Sequence, residues 1–419
     1  MFAFCKPVSS KKRFLPFRVL NDDFSFSLFE KASAIPSVDW ETISKRKSVF
    51  LEKDYLKILE NCKHTKLTPR YVIIYFKGKP CGIVYFQIVD FKAEVFGNIL
   101  DQQVESIKST RLNLFEKYVD SNKDGVLLRL FTCGNNLVSG EYGYMFDEKV
   151  SNEQAHDLLL NLIDVVSKEE KLARTISAIL LKDFHNPLEP KKLFKQEKYS
   201  DFFVEPNLIV DIPKGVETID DYIGLFSKKY RNRAKSIFKN LNGVEVKYLS
   251  LAEIQLYEKQ LYKLYEGIFE KAKFKLIKLP ENYFSSVKSI YENSFNVKAF
   301  FYENKIIAFA SCFKMYDGSL EAHYIGLNYD FNGQFNLYQN ILYGMIDEAI
   351  KNKLAKVNLG RTAAEIKTTV GAKPYDLICY TKPQNTISKL ILKPLISFLQ
   401  PAEWVPRNPF KEEGLEKDI

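Results

Sequence analysis

Two segments of this chain can be laid over one another without a gap. "YVIIYFKGKPCGIVYFQ" (71–87) and "VKAFFYENKIIAFASCF" (297–313) each read as two β-rich runs around a short polar turn, with Lys79 and Lys305 at matching places. Similar blocks follow both. "GEYGYMF", a helix near 154–168 and "SAILLKDF" make strand, helix and strand in the first half. "EAHYIGL", a helix near 336–351 and "KVNLGRTA" do so in the second. The repetition points to an internal duplication, with a longer insert in the first half. At 419 residues the chain exceeds one compact core, so two α/β domains of about 200 residues each are expected.

The remaining elements fit this division. "SVFLEKDYLKILENC" has helical spacing, and so has "DQQVESIKSTRLNLFEKYV" (101–119). "GVLLRLFTCGN" and "GEYGYMF" read as a strand pair. "SNEQAHDLLLNLIDVVSKEEKLA" is an amphipathic helix with Ser151 as N-cap. "NLIVDIPKGVETIDD" is the best linker, with Pro, Gly and acidic residues in succession. "DDYIGLFSKKYRNRAKSIFKNLNG" reads as one helix ended by Gly243, and a second spans 251–271. The expected boundaries are an N-terminal segment 1–40, a first domain 41–212, a second domain 213–385 and a C-terminal helix and tail 386–419.

Composition narrows the function classes. Net charge is +9, which suits acidic partners such as phosphates, nucleic acid or an anionic membrane surface and selects none of them. Cys5, Cys62, Cys81, Cys133, Cys312 and Cys379 form no CxxC pair, and several sit inside apolar strand patterns. They read as buried thiols of a reducing compartment. His64, His156, His185 and His323 are far apart in sequence, so no metal site is expected. No signal peptide or membrane-spanning stretch is visible, and a cytoplasmic location is expected.

Candidate site residues concentrate in the second half. "NYDFNGQFNLYQNILYGMIDEAI" leaves an apolar strand, makes a polar loop and enters a helix. In that layout backbone N–H groups can hold a phosphate. Asn336 stands at the helix start, either beside a bound anion or simply as a cap. His323 has the pKa to accept a proton from an attacking amine or hydroxyl. Strand alternation sets His323 and Ile325 on one side and Tyr324 and Gly326 on the other. Tyr338 and Tyr343 follow on the helix, and a tyrosine there can protonate a leaving thiolate. Tyr338 is nearer the helix start.

Arg361 follows Gly360 at a strand end, where its guanidinium can hold a carboxylate or phosphate with Thr362 and Lys367 beside it. The structural alternative is a pair with Glu365 or with a helix end. Tyr230, Arg231 and Arg233 belong to a basic helix face over 228–239, which either binds acidic substrate or tRNA backbone or is only solvated. "NTISKLILKPLISFLQPAEWVP" either lies on a membrane as a peripheral contact or docks on the second domain.

The order of elements resembles the GNAT acyltransferase superfamily, and more narrowly the tandem-GNAT proteins. These include the FemABX peptidoglycan-bridge aminoacyl transferases and bacterial proteins with BioF-type acetyltransferase domains. The resemblance is carried by "KKYRNRAKSIFKNLNGVEVKYLS", "AHYIGLNYDFNGQFNLYQNILYGMIDEAI" and "VNLGRTAAEIKTTVGAKPYDLICY", and spans roughly 40–405. It implies two GNAT-like domains, each a mixed β-sheet flanked by helices, with the active site in the second and a degenerate first copy. It implies a V-shaped opening between the strands "LEAHYIGLNY" and "KVNLGRT" for the arm of an acyl-CoA, and strand N–H groups that stabilise an oxyanion. The implied reaction moves an acyl or aminoacyl group from acyl-CoA or aminoacyl-tRNA to an amine acceptor. Acyl-CoA is then a co-substrate and no cofactor is tightly bound. The family's glycine-rich phosphate loop is replaced by "NGQFNLYQ", where Phe335 fills a glycine position. That departure leaves a second reading, a non-catalytic GNAT-derived protein that binds nucleic acid or acidic lipid headgroups.

Overall fold

The apolar runs of the sequence become strands, in a computed structural model that describes residues 17–60, 67–92, 117, 125–169, 175–185, 188–272, 277–401 and 403–411. Apart from Lys117, the helix expected over 101–119 lies outside these residues, as do Cys5, Cys62 and His64. The first half contributes β1 (Arg18–Val19), β2 (Phe24–Phe29), β3 (Leu67–Phe76), β4 (Lys79–Lys92), β5 (Val126–Cys133), β6 (Tyr144–Phe146), β7 (Ala178–Phe184) and β8 (Ser200–Asp211). The second contributes β9 (Glu245–Tyr248), β10 (Phe295–Tyr302), β11 (Lys305–Lys314), β12 (Ser319–Leu327), β13 (Lys356–Asn358) and β14 (Lys373–Pro383). All join one mixed sheet in the order β1-β2-β3-β4-β5-β7-β14-β8-β13-β12-β11-β10-β9, with β6 paired to β4 beside that path.

The duplication is visible in the register. The β3–β4 hairpin closes at Phe76 and Lys79, and the β10–β11 hairpin at Tyr302 and Lys305. Each carries a register shift at the same place, between Ile74 and Tyr75 and between Phe300 and Phe301. Both turns have two residues at positive φ, Lys77–Gly78 and Glu303–Asn304, as a two-residue hairpin requires. In the second half β11 pairs with one continuous strand, β12. In the first half β4 pairs with both β5 and β6, so the strand is interrupted by residues 134–143. The runs "GVLLRLFTCGN" and "GEYGYMF" are therefore two parts of one strand position, and not a pair with each other.

The halves also exchange strands. β14 is inserted between β7 and β8, antiparallel to both, while β8 pairs on its other side with β13. The segment "NLIVD" of the expected linker is thus the end of β8, and the connection proper begins after Asp211. A boundary at 212/213 divides the sequence there but not the sheet.

Helices cover both faces. They are α1 (Ser37–Ser44), α2 (Lys53–Glu60), α3 (Asn152–Ser167), α4 (Leu188–Gln196), α5 (Ile219–Gly224), α6 (Lys228–Lys239), α7 (Leu251–Leu256), α8 (Glu258–Phe269), α9 (Tyr283–Tyr291), α10 (Tyr329–Phe335), α11 (Leu337–Lys351), α12 (Ala364–Thr368) and α13 (Thr386–Leu399). In the second half α5, α6 and α11 pack on one face and α7 to α9 on the other. Ser151 caps α3 through Oγ, as expected.

The single helix expected over 220–243 is two. Buried Phe226 and the backbone of Leu225 and Ser227 are engaged by Pro409, Phe410 and Lys411, which interrupts the helix between α5 and α6. The helix expected over 251–271 is likewise divided into α7 and α8. Among the described residues no helix is long and apolar enough to cross a membrane.

Candidate functional site

β12 and β13 run parallel for three residue pairs only, ending at Glu321 and Asn358. Beyond that point they separate. β12 follows β11 to Leu327, whereas Leu359 and Gly360 exchange backbone hydrogen bonds with Leu208 beside β8. The separation opens a cavity of about 860 Å³ that crosses the sheet. Tyr265 and Ile268 of α8 line it from one face, and Ile341 and Met345 of α11 from the other. It continues under α13, whose Leu392, Leu395 and Leu399 face Leu180, Phe202 and Thr381. In the first half the same separation follows Cys133 and Leu181. There residues 134–143 lie against the end of β7, with Lys182 Nζ donating to Val138 O at 2.8 Å.

Glu321 sits where the strands part. It is buried, lines the cavity and accepts a hydrogen bond from Asn358 Nδ2 at 2.8 Å. Burial raises its carboxyl to a pKa of about 8, and the Asn358 bond offsets part of that rise. Asn358 Oδ1 also accepts from Gly360 N at 2.9 Å, tying the carboxyl to the turn that follows β13. That turn holds Gly360, Thr362 and Ala363 all at positive φ. Lys367 from α12 braces it, with Nζ donating to the carbonyls of Gly360 (3.1 Å) and Arg361. Burial pushes the Lys367 ammonium down to about 7, against the pull of Glu205 and Glu321.

Arg361 projects from the same turn and lines the cavity. It pairs with Asp183, a fully buried carboxylate at the end of β7. Asp183 also takes Lys182 as an ion-pair partner and the Gly140 N–H at 2.9 Å. Burial alone would raise the Asp183 pKa, but Lys182 and Arg361 outweigh it and hold the carboxyl well below its usual range. The alternative pair with Glu365 does not form, because Glu365 is taken by Arg407. Arg361 and Lys182 thus share a single carboxylate at the cavity wall. The buried Arg361 Nε has no hydrogen-bond partner among the described residues.

His323 and Tyr324 share a face, contrary to simple alternation. Between Ala310 and Cys312 of β11 stands one residue, Ser311, opposite two of β12, His323 and Tyr324. Ser311 Oγ closes this bulge by donating to Tyr324 O at 2.9 Å and accepting from Tyr324 N at 3.0 Å, so this strand N–H is already engaged. Both side chains then meet the Tyr283 ring of α9, with Ile325 on the opposite face. His323 Nε2 lies 2.6 Å from Tyr283 OH, among the rings of Phe50, Phe295 and Phe313. Enclosure in these rings pushes the imidazole pKa down to about 3, so His323 lines the cavity as a neutral, weak base. Tyr324 OH donates to Leu137 O at 2.6 Å and fastens the 134–143 segment to the cavity wall.

Tyr338 and Thr362 line the cavity too, with Tyr338 raised above the usual tyrosine pKa mainly by burial. The polar loop expected before this helix is α10, and Phe335 at its end is buried against Tyr302 and Phe331, in the same core cluster as Leu337 and Ile341. Asn336 is outside the cavity lining. It takes a left-handed φ of 48° and bonds Asn240 and Gln339, while Asn332 Oδ1 accepts from Tyr338 N. Tyr230, Arg231 and Arg233 are also outside the lining, on α6. Cys81, Cys133, Cys312 and Cys379 are buried free thiols.

Sequence reasoning missed Glu321, Asp183 and Lys182. The available signal was a carboxylate inside each of two apolar strand runs, "SLEAHYIGL" and "AILLKDF".

No protein-family model and no curated protein matches the chain. Among solved structures, FemX is similar at 12% identity and a TM-score of 0.49, covering 82% of this chain and 93% of that one. The C-terminal domain of a putative lysylphosphatidylglycerol synthetase from Agrobacterium fabrum is similar at 10% identity and a TM-score of 0.48, covering 86% and 96%. A tandem GNAT protein from the clavulanic acid biosynthesis pathway is similar at 8% identity and a TM-score of 0.46, covering 87% and 99%.

Proposed function

We propose that this chain is an acyltransferase that moves an acyl or aminoacyl group from acyl-CoA or aminoacyl-tRNA to an amine acceptor, inside the cavity between β12 and β13. The observation that carries the reading is the buried Glu321 at the point where these strands part. A carboxyl with a pKa of about 8 holds its proton near neutrality and can exchange it with a reacting amine. In the proposed step the amine nitrogen attacks the carbonyl carbon, a C–N bond forms and the C–S or C–O bond to the carrier breaks. The amine proton passes to ionised Glu321, and Tyr338 supplies a proton to the leaving sulfur or oxygen. Asn358 orients Glu321, and Lys367 braces the Gly360–Ala363 turn beside it. No covalent enzyme intermediate is required. The resemblance of the second-half motifs to the GNAT superfamily supports the same reaction class.

The test is a thermal-shift screen with acyl-CoAs, free CoA and short RNAs, followed by transfer assays on the stabilising donor. Glu321→Gln should keep donor binding and lower turnover by about 10²–10⁴-fold. Undiminished turnover in that variant would remove Glu321 from the reaction. The second reading, non-catalytic binding of nucleic acid or acidic headgroups, draws on α6. Lys228, Lys229, Arg233, Lys235 and Lys239 are exposed there, without a carboxylate partner among the described residues. Salt-sensitive RNA binding with no transfer from any donor would favour it.

A further inference from the structure

The cavity holds more apolar space than the reacting groups need. A charged group of lining residues stands at the strand separation, where Arg361 and Lys182 share Asp183, and Glu321 and Lys367 flank the turn that follows β13. The part beneath α13 is different. Leu392, Leu395 and Leu399 line it from α13, and Leu180, Phe202, Val204 and Thr381 line it from the sheet, with the Thr381 hydroxyl donating to Ile179 O at 2.9 Å. Leu392 and Leu395 are shielded from solvent although the chamber beside them is open space. α13 rests on β8 and β14, so the exchanged strands build this chamber and neither half would form it alone. The total volume, about 860 Å³, is near the upper end of the range of about 300–1,000 Å³ found for small-molecule pockets. A largely apolar limb that ends at a polar reaction centre fits a substrate with a polar head and a hydrocarbon tail.

We infer that one substrate of this site carries a long unbranched aliphatic chain, and that the chain lies under α13 with its functional group at Glu321 and Arg361. The inference rests on the proposed reaction centre for the position of the head, but binding of the tail does not depend on turnover. The chain belongs either to the acyl donor or to the amine acceptor, and the chemistry of the chamber is the same for both.

The test measures binding to the intact protein by calorimetry, with acyl-CoAs of four to twelve carbons in one arm and primary n-alkylamines of the same lengths in the other. In the arm that uses the chamber, Kd should fall by about fourfold per added CH2 until the chamber is full. Leu395→Trp fills the roof and should abolish the gain for the longer chains while short chains bind as before. Leu399→Trp serves as the second variant if the first misfolds. Chain-length-independent binding in both arms overturns the inference and leaves acyl transfer standing. So does a length dependence that neither α13 variant changes. Chain-length-dependent binding without transfer from any donor would instead overturn the proposed reaction and keep the chamber.

Discussion

Arg361, at the turn after the last strand of its parallel pair, forms its ion pair with Asp183 from the other half of the chain. The carboxylate is fully buried and also holds Lys182 and the Gly140 N–H. One residue thereby sets the cavity wall, the 134–143 segment and the contact between halves. Asp183→Ala should destabilise the protein by about 3–5 kcal/mol, because it leaves two buried cations without their counter-ion. Urea midpoints measure this. A loss below about 1 kcal/mol would mean that the cations find solvent instead. Arg361→Lys should not restore wild-type stability, since an ammonium lacks the planar fork.

Glu321 and Lys367 should give stability an unusual pH profile. Glu321 is raised from 4.5 to about 8, so its contribution is present below 4.5 and is lost as pH rises through 8. Lys367 is lowered from 10.5 to about 7, so its contribution is present above 10.5 and is lost as pH falls through 7. Stability therefore declines toward a minimum near pH 7 to 8, with a slope of up to about 1.4 kcal/mol per pH unit from each group. Glu321→Gln should flatten the acidic limb and Lys367→Met the alkaline one. Parallel pH profiles for wild type and both variants would contradict the burial argument.

Catalysis should follow the same group. If ionised Glu321 accepts the amine proton, kcat/KM rises with pH through about 8 and then levels. Glu321→Gln should lose that inflection along with most of its turnover. An inflection that persists in the variant would assign it to the substrate amine.

Gly326 is held by close packing. A Cβ built there would overlap Phe309 Cε1 and lie 2.8 Å from the Leu264 backbone, so β12 and α8 would have to move apart. Gly326→Ala should cost about 1–3 kcal/mol and distort the α8 side of the cavity. The melting temperature should fall accordingly. An unchanged melting temperature would show that α8 can shift freely.

The exchanged strands should make the halves inseparable. A protease site introduced at Lys214–Gly215, in the exposed connection after β8, should allow cleavage without dissociation. Size-exclusion chromatography of the nicked chain should give one peak. Residues 213–385 expressed alone should be insoluble, because β14 loses both neighbours and β13 loses β8.

Local patterns in the sequence were enough for the elements that depend on local physics. The two hairpins, the Ser151 cap and the amphipathic helices follow from alternation, turn chemistry and helical period. The duplication followed too, since matching patterns fold to matching registers. The parting of β12 and β13 was expected from the resemblance and is present in the strand pairing. Contacts over long sequence separations decided the rest. Nothing local tells β14 to enter between β7 and β8, or Asp183 to claim Arg361. A one-residue bulge opposite Ser311 reversed the side on which Tyr324 lies, and no residue in "EAHYIGL" announces it. The proton-handling groups were hidden for the same reason. A glutamate in a strand is an ordinary carboxylate until folding buries it. His323 is an ordinary base until aromatic rings enclose it. Sequence fixes which groups are available, and burial decides which of them can hold or release a proton at neutral pH.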